Sequence, residues 1–238
     1  MKRLLFCFLL LAIALPACAQ DQYINKYTLY TGSDFVVSPS RNLNEYGFDT
    51  DFGVTVRPWL GLGGDFGVFG HDIFGGSGTL TGSETIYAPI LNNAYQNGIP
   101  PDVPPGVVPP ASAVKVSFKA TTYLFAVGPQ FYWRKWKHVT FLGRPGFGGI
   151  HESADLSLPP QLEGLFPLLG LTPPASHQSC TTWFIGLGGG VDLNLSKHVA
   201  VRITGDWINT HLFSNLLTDR QNYMRFTVGP VWRWGDYR

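Results

Sequence analysis

The chain has 238 residues, of which 45% are hydrophobic, 14% aromatic and only 14% charged, and its formal net charge is +1. This balance argues against a nucleic-acid-binding protein, which needs a basic surplus to neutralise phosphates. It also argues against a disordered chain, which would be rich in charge and poor in aromatics. The 28 glycines and 18 prolines exceed ordinary usage and disfavour a helical bundle. The composition therefore predicts an all-β protein.

The first nineteen residues have the features of a secretory signal peptide. Lys2 and Arg3 precede an apolar run over residues 4–15, and Ala17 and Ala19 form a cleavage pattern. We therefore expect residues 1–19 to be removed and residues 20–238 to form a single exported domain. In an alternative interpretation, residues 15–18 resemble a bacterial lipobox, and Cys18 would then become a lipid-bearing N-terminus.

The remaining chain alternates between large apolar residues and polar or small ones, which is typical of strands with one apolar face. Long and short connections also alternate, and the longest loops cover residues 71–115 and 153–180. This order predicts an eight-stranded antiparallel up-and-down β-barrel with four long external loops and three short periplasmic turns. Strands are predicted near 26–35, 45–57, 60–70, 116–133, 138–152, 181–195, 199–212 and 222–234.

The residue types on the polar face indicate which side of the barrel meets lipid. In a water-soluble barrel the apolar face points inward. Here the polar face combines glycine with unlike charges, which suits a narrow lumen where each charge needs a partner. We therefore predict a transmembrane barrel with its large apolar residues towards lipid. The predicted lumen network comprises Asp49, Asp51, Arg57, Asp65, Arg144, Asp192, Arg202, Asp206, Arg225 and Arg233.

Most of the tryptophans lie close to the short turns. Aromatic side chains collect at membrane–water interfaces, where one end of the ring system is apolar and the other is wet. The pattern predicts an aromatic girdle at the periplasmic end of the barrel. Its members are Trp59, Trp133, Trp136, Trp232 and Trp234.

The last predicted strand, residues 227–234, resembles the assembly signal of outer-membrane barrels through Thr227, Gly229, Trp232 and Trp234. Four further residues follow the terminal aromatic, whereas family members usually end there. With the repeated Val-Gly-Pro at 127–129 and 228–230 and Asn-Leu-Asn at 42–44, the chain resembles the OmpA-like eight-stranded barrel family. The resemblance implies a protein of the bacterial outer membrane whose last strand pairs with the barrel-assembly machinery.

An eight-stranded barrel is only wide enough to be filled by side chains. We therefore expect a monomeric structural or surface-interaction protein that contacts outer-membrane lipid and, through its long loops, a surface ligand. We expect no cofactor, metal, nucleic-acid partner or catalysis. A narrow channel is the alternative, because a thin wet path could remain beside the lumen charges. The Pro-rich stretch 99–110 is interpreted either as a variable loop or as a partner-docking arm.

A lipid A-modifying hydrolase is the third alternative. Deacylases of that class use a His-x-Ser pair with a carboxylate, and His151, Glu152 and Ser153 stand at the outer end of a predicted strand. A histidine there could activate the serine. However, alternate residues of a strand face opposite sides, so Glu152 would point away from both His151 and Ser153. The sequence therefore favours this alternative least.

Overall fold

The computed structural model describes residues 24–71, 73–98, 104–158, 160–217 and 221–237. The predicted signal peptide with Cys18, and residues 99–103 of the Pro-rich stretch, lie outside the described residues. These described ranges contain nine strands and two α-helices. The strands are β1 (Asn25–Ser38), β2 (Leu43–Arg57), β3 (Leu60–Gly70), β4 (Gly76–Thr81), β5 (Lys115–Trp133), β6 (Val139–Ser157), β7 (His177–Asn194), β8 (Val199–Thr210) and β9 (Gln221–Asp236), and the helices are α1 (Ala88–Asn97) and α2 (Pro160–Leu168).

The strands close into an antiparallel barrel. Each strand from β5 to β9 pairs with its neighbours in sequence, and β1 pairs with both β2 and β9. The short β4 continues β3, because it pairs with β5 and β2 above the end of β3. Gly70 and Gly75, with φ of 133° and 93°, let the chain leave the barrel wall and return. The prediction of a closed eight-stranded antiparallel barrel is confirmed.

Two loop predictions are wrong at the outer end. The predicted first long loop is a tight turn, in which residues 39–41 form one 3-10 turn and Asn42 adopts a left-handed conformation with φ of 40°. Asparagine tolerates this conformation, so the chain reverses within four residues. Strands β6 and β7 also extend beyond their predicted ends, which shortens the loop predicted at 153–180 to residues 158–176.

Side chains alternate between the inside and the outside of the barrel as predicted. On β9, for example, Tyr223 and Arg225 are buried while Met224 and Phe226 are exposed. Soluble monomers rarely expose an apolar patch of more than a few hundred Å², but here an apolar belt surrounds the barrel and indicates a lipid-facing wall. The belt includes Phe48, Phe52, Leu62, Phe66, Phe125, Val127, Phe147, Ile185, Leu187, Ile203, Phe226 and Val228.

The two helices form a loop cap over the outer mouth of the barrel. We define the loop cap as residues 82–98, 104–114, 158, 160–176 and 211–217. Its centre is an apolar cluster in which Leu91 and Ala94 of α1 pack with Val108, Ala111 and Val114. None of the helices within the described residues is long and apolar enough to cross a membrane. Helix α1 was not predicted, because it lies within residues 71–115, which were interpreted as one long loop.

Closure of the barrel between β1 and β9 depends on close backbone approach at Gly229. A Cβ at this position would lie 2.0 Å from the Thr31 carbonyl oxygen and 2.5 Å from Gly32 Cα. We expect Gly229→Ala to lower the free energy of unfolding by about 1–3 kcal/mol, the usual cost of overpacking. Urea unfolding of refolded protein in detergent, followed by heat-modifiable gel mobility, measures the change without the assembly machinery.

The matched control is Gly149→Ala, because a Cβ at Gly149 would have no atom within 4 Å. This variant should unfold at the same urea concentration as the parent protein. Equal stability of Gly229→Ala and Gly149→Ala would contradict the close packing at the closing seam.

Candidate functional site: the charged lumen

The structure brings nine of the ten predicted lumen residues together inside the barrel, each of them at most 8% exposed. They extend from strands β2, β3 and β6–β9 towards the barrel axis, because each lies on the inward phase of its strand. The nine are Asp49, Asp51, Asp65, Arg144, Asp192, Arg202, Asp206, Arg225 and Arg233.

Arg57 does not belong to this network, and its prediction as a lumen residue is wrong. The pairing of β2 with β3 shifts register between Thr55 and Arg57, so β2 carries an extra residue there. Such a bulge interrupts the inward–outward alternation. Thr55 remains buried, whereas Val56 and Arg57 are both exposed at the end with the short turns, which we call the periplasmic end after its predicted orientation.

The centre of the network is formed by two arginines and their acidic partners. Arg144 donates from Nε and Nη2 to the two oxygens of Asp206 at 2.9 and 2.5 Å. Arg225 donates to Asp206 from Nε at 3.2 Å and to Asp65 from Nη1 at 3.2 Å. Asp49 lies 3.5 Å from Arg225. Because bidentate guanidinium–carboxylate pairs fix both distance and orientation, this cluster ties together β2, β3, β6, β8 and β9.

A second cluster lies nearer the periplasmic end. Asp192 accepts from Arg202 Nε at 2.7 Å and from Arg233 Nη2 at 2.5 Å. Arg233 also donates to Asn194 Oδ1 at 2.7 Å. Arg202 lies 3.7 Å from Asp51, which connects this cluster to the central one. The two clusters therefore form one continuous network along the lower half of the lumen.

Arg134 closes the periplasmic mouth. It lies in the turn after β5, is 8% exposed, donates to the Pro58 carbonyl oxygen and stacks 4.1 Å from the Tyr132 ring centroid. Burial lowers the pKa of Arg134 to about 10, so the guanidinium is still charged at neutral pH. The positively charged guanidinium of Arg134 thus occupies the periplasmic end of the lumen.

A third ion pair, which sequence reasoning missed, lies near the outer end of the lumen. Arg41, from the turn between β1 and β2, donates from Nη1 to Glu152 Oε2 at 3.0 Å, and the Tyr223 hydroxyl donates to the same oxygen at 2.8 Å. The Arg41 guanidinium also lies 4.5 Å from the Phe118 ring centroid. The inward phase of Glu152 was readable from the sequence, but a loop residue such as Arg41 carries no such periodic signal.

An apolar cluster also lies in the outer half of the lumen. Leu124, Ile150, Phe184 and Ile208 point inward from four strands and are each at most 2% exposed. They belong to one packed cluster that also contains Phe213 from the loop cap. The packing of this cluster places apolar side chains across the barrel axis at this level.

The buried charges are not balanced. The described interior holds eight carboxylates, the two not yet mentioned being Asp34 and Glu45, against six arginines. Asp34 lies 4.0 Å from Arg225, and neither of its side-chain oxygens has a hydrogen-bond partner among the described residues. The described interior therefore holds two more carboxyl groups than guanidinium groups.

One seam of the barrel wall is incomplete. Strands β5 and β6 pair at Val127–Phe147 and again at Phe131–Gly143, but not between, where Pro129 lies opposite Pro145. Neither proline has an N–H to donate, so the ladder loses its hydrogen bonds there. An open cavity of about 420 Å³ occupies this gap and reaches from the lipid-facing wall to the charged network.

The five predicted girdle tryptophans lie at the periplasmic end, as the turn positions require. Trp133 and Trp136 have ring centroids 5.6 Å apart, and Trp59 stacks on Phe131 at 6.3 Å. Trp232 and Trp234 point outward from β9 and are each 42% exposed. The other two assembly-signal residues serve the fold: Thr227 is buried, 2.7 Å from the Tyr30 hydroxyl, and Gly229 lies in the closing seam.

The candidate hydrolase residues do not form a catalytic site together. Glu152 is buried in the lumen with Arg41, whereas the His151 ring points outward and its Nδ1 lies 2.7 Å from Thr181 Oγ1. Ser153 instead lies 3.4 Å from Nε2 of His177, whose Nδ1 is 2.7 Å from Asp155. The described residues contain no group of three or more His, Cys, Asp and Glu side chains that could hold a metal ion.

The central cluster predicts the effect of removing one arginine. Arg225→Met would leave Asp65 and Asp206 buried with fewer partners, which typically costs about 3–5 kcal/mol. Arg57→Met, the same substitution at an exposed arginine, should change stability by no more than about 0.5 kcal/mol. Urea unfolding of both variants in the same detergent provides the measurement. Similar midpoints for the two variants would show that the buried network does not stabilise the barrel.

No protein-family model matches the sequence, and no curated protein matches it. Among solved structures, the chain is similar to Ail, the attachment invasion locus protein of Yersinia pestis, with 14% identity, a TM-score of 0.47, and coverage of 87% of this chain and 96% of that one. It is also similar to Neisserial surface protein A, with 8% identity, a TM-score of 0.48, and coverage of 87% and 96%. The outer membrane protein OprG of Pseudomonas aeruginosa gives 9% identity, a TM-score of 0.46, and coverage of 92% and 100%.

The strand pairing, the apolar belt and the charged interior together define the architecture. Every strand of the barrel wall is antiparallel to its two neighbours, and the barrel closes between β1 and β9. Large apolar residues point outward, and paired Asp and Arg residues point inward. The chain therefore has the fold of a closed eight-stranded antiparallel β-barrel with an apolar outer wall and a charged interior.

Proposed function

We propose that this protein is a non-conducting outer-membrane barrel that holds a loop cap at the cell surface, where the cap makes contact with partners outside the cell. The observation that carries the proposal is the filled lumen. Ion-paired side chains occupy its lower half and a packed apolar cluster occupies its outer half. A lumen filled in this way supports a structural role better than a transport role.

The loop cap supports the surface-contact part of the proposal. A hydrogen bond from Gly82 N to the Val114 carbonyl oxygen at 2.9 Å joins two ends of cap segments directly beyond the strand pair Thr81–Lys115. Helix α1 buries Leu91 and Ala94 against the cap cluster. The cap nevertheless exposes large apolar side chains, and such exposure on an ordered surface is typical of interaction sites. These side chains are Ile86, Ile90, Tyr95 and Val107.

Export and assembly are part of the same proposal. Residues 1–19 would direct the chain across the inner membrane and then be removed. Strand β9 is bonded to β8 on one side and to β1 on the other in the closed barrel. It would therefore have to pair with the assembly machinery before β1 closes the seam. Among the described residues, the wall strands of the closed barrel are paired on both sides over their central parts, so we expect a monomer.

A narrow conduit is the second candidate function, and the gap between Pro129 and Pro145 favours it. The cavity there connects the lipid-facing wall with Asp51, Asp65 and Arg144. Because the gap is lateral and the outer half of the lumen is packed, it does not provide a path along the axis. The conduit is therefore less favoured than the closed barrel.

The hydrolase alternative lacks a required element. Ser153, His177 and Asp155 form a hydrogen-bonded chain, but acyl transfer also needs free N–H donors to stabilise the oxyanion. Ser153 pairs with Thr121 on one side and Ser179 on the other, so the backbone N–H groups around it belong to the sheet. We therefore propose no catalytic role for this chain.

The closed lumen predicts the absence of a defined conductance step in planar bilayers. Wild-type protein should insert without discrete openings, because ion pairs and apolar packing block the axis. Arg225→Ala removes a large side chain from the central cluster only, and it should also insert without discrete openings, because the apolar cluster in the outer half of the lumen still blocks the axis. A reproducible step in the wild type would instead establish the conduit.

The loop cap predicts a separable surface function. Gly82 and Val114 lie in register beyond the paired residues Thr81 and Lys115, so an Asn-Gly turn can replace residues 83–113. The shortened protein should keep its heat-modifiable mobility, while cells that express it should attach less to surfaces and to one another. A control with Lys135→Ser and Lys137→Ser in the periplasmic turn should attach normally. Unchanged attachment of the shortened variant at equal expression would contradict the proposal.

A further inference from the structure

Two adjoining apolar cavities lie beneath the loop cap. The outer one lies between α1, α2 and the strand ends and has a volume of about 690 Å³ together with its opening to solvent. The inner one encloses about 290 Å³ and reaches down to Arg41 and Phe118. Leu80, Leu156, Leu216 and Leu217 line both cavities, so the two adjoin across these side chains, and together we call them the passage from the cap to the upper end of the lumen.

The lining of the outer cavity indicates a hydrocarbon ligand. Leu91, Val116, Phe166 and Leu169 contribute apolar side chains from four different segments. The Thr85 hydroxyl, which also lines it, already donates to the Gly82 carbonyl oxygen at 2.7 Å. A ligand that fills this space would gain from removal of apolar surface from water, and a polar group placed there would find few partners.

The inner cavity ends at a polar group. Arg41 is 2% exposed, and its two terminal nitrogens bond Glu152 and Tyr223. Its Nε has no hydrogen-bond partner among the described residues. An unsatisfied buried donor of this kind costs stability unless something accepts from it. An oxygen atom of a ligand in the inner cavity can accept this hydrogen bond.

The charge around Arg41 defines which oxygen fits. Glu152 already neutralises the guanidinium through a bidentate pair. A ligand carboxylate or phosphate would therefore add a second negative charge to a buried site that is already neutral, at a high desolvation cost. A hydroxyl, ester or aldehyde oxygen accepts a hydrogen bond without that charge.

We propose that this passage binds a neutral single-chain amphiphile, such as a long-chain alcohol, with its tail in the outer cavity and its oxygen on Arg41 Nε. The site goes beyond the surface role proposed above and does not depend on it, since the passage lies under the cap and not on its exposed face. Occupancy would satisfy the orphaned donor and fill the apolar space in one step.

Photo-crosslinking tests the proposal in the complete protein reconstituted in lipid nanodiscs. The probe is a twelve-carbon alcohol with a diazirine near the end of its tail, and mass spectrometry locates the labelled residues. We expect saturable labelling of the segments that line the outer cavity. Dodecanol should compete for the site at a concentration about tenfold lower than dodecanoate at about pH 8, which corresponds to about 1.4 kcal/mol. Labelling that does not saturate, or that falls only on the lipid-facing belt, would overturn the proposal.

A matched pair of variants links the labelling to the cavity. Leu156→Trp fills the passage, whereas Ser157→Trp places the same side chain on the outward face of the same strand. We expect the first variant to lose about tenfold in apparent affinity and the second to remain unchanged. If Leu156→Trp does not fold, Leu169→Trp in the lining and the exposed Leu168→Trp replace the pair. Equal labelling of lining and control variants would refute the site, and equal competition by dodecanoate would refute the neutral head group.

Discussion

The pairing of buried arginines with buried aspartates is the interaction on which the rest of this barrel depends. The Asp206 carboxylate accepts hydrogen bonds from both Arg144 on β6 and Arg225 on β9. Arg225 also donates to Asp65 on β3. The network thus crosses the lumen, whereas backbone hydrogen bonds join only adjacent strands. Because an unpaired charge in this interior would cost several kcal/mol, each strand that contributes a charge to the network is favoured in the register that brings this charge to its partner.

The same constraint explains why so much of the fold could be predicted from sequence. A single-layer β-sheet with lipid outside and ion pairs inside requires strict alternation of apolar and polar residues along each strand. This alternation is visible in a single sequence. The prediction failed where periodicity stops. A bulge moved Arg57 outside, a turn with Asn42 in a left-handed conformation replaced the first long loop, and Arg41 entered the lumen from that turn. Helix α1 was missed for the same reason, since its burial is set by the cap and not by the wall.

The β5–β6 seam shows that the ion-pair network allows the wall to lose some of its backbone hydrogen bonds. Two opposed prolines remove ladder hydrogen bonds in the middle of a lipid-facing wall, where unsatisfied backbone groups are costly. The seam persists because Arg144 of β6 bonds Asp206 of β8 and lies 3.2 Å from Asp65 of β3. Side-chain ion pairs inside the barrel therefore hold the strands on both sides of the gap where the backbone does not.

The side chains of the interior change from charged to apolar along the barrel axis. The residues that stabilise the barrel therefore lie apart from the cap that is proposed to bind partners. Charged pairs fill the lower half, apolar side chains fill the outer half, and the Arg41–Glu152 pair stands between the apolar cluster and the cap cavities. Changes in the cap leave the lower network intact, since no residue of the cap contributes to it. The sequence of the cap can therefore change its shape and surface while the barrel beneath it stays closed. New binding properties can arise at the outer end of the molecule in this way.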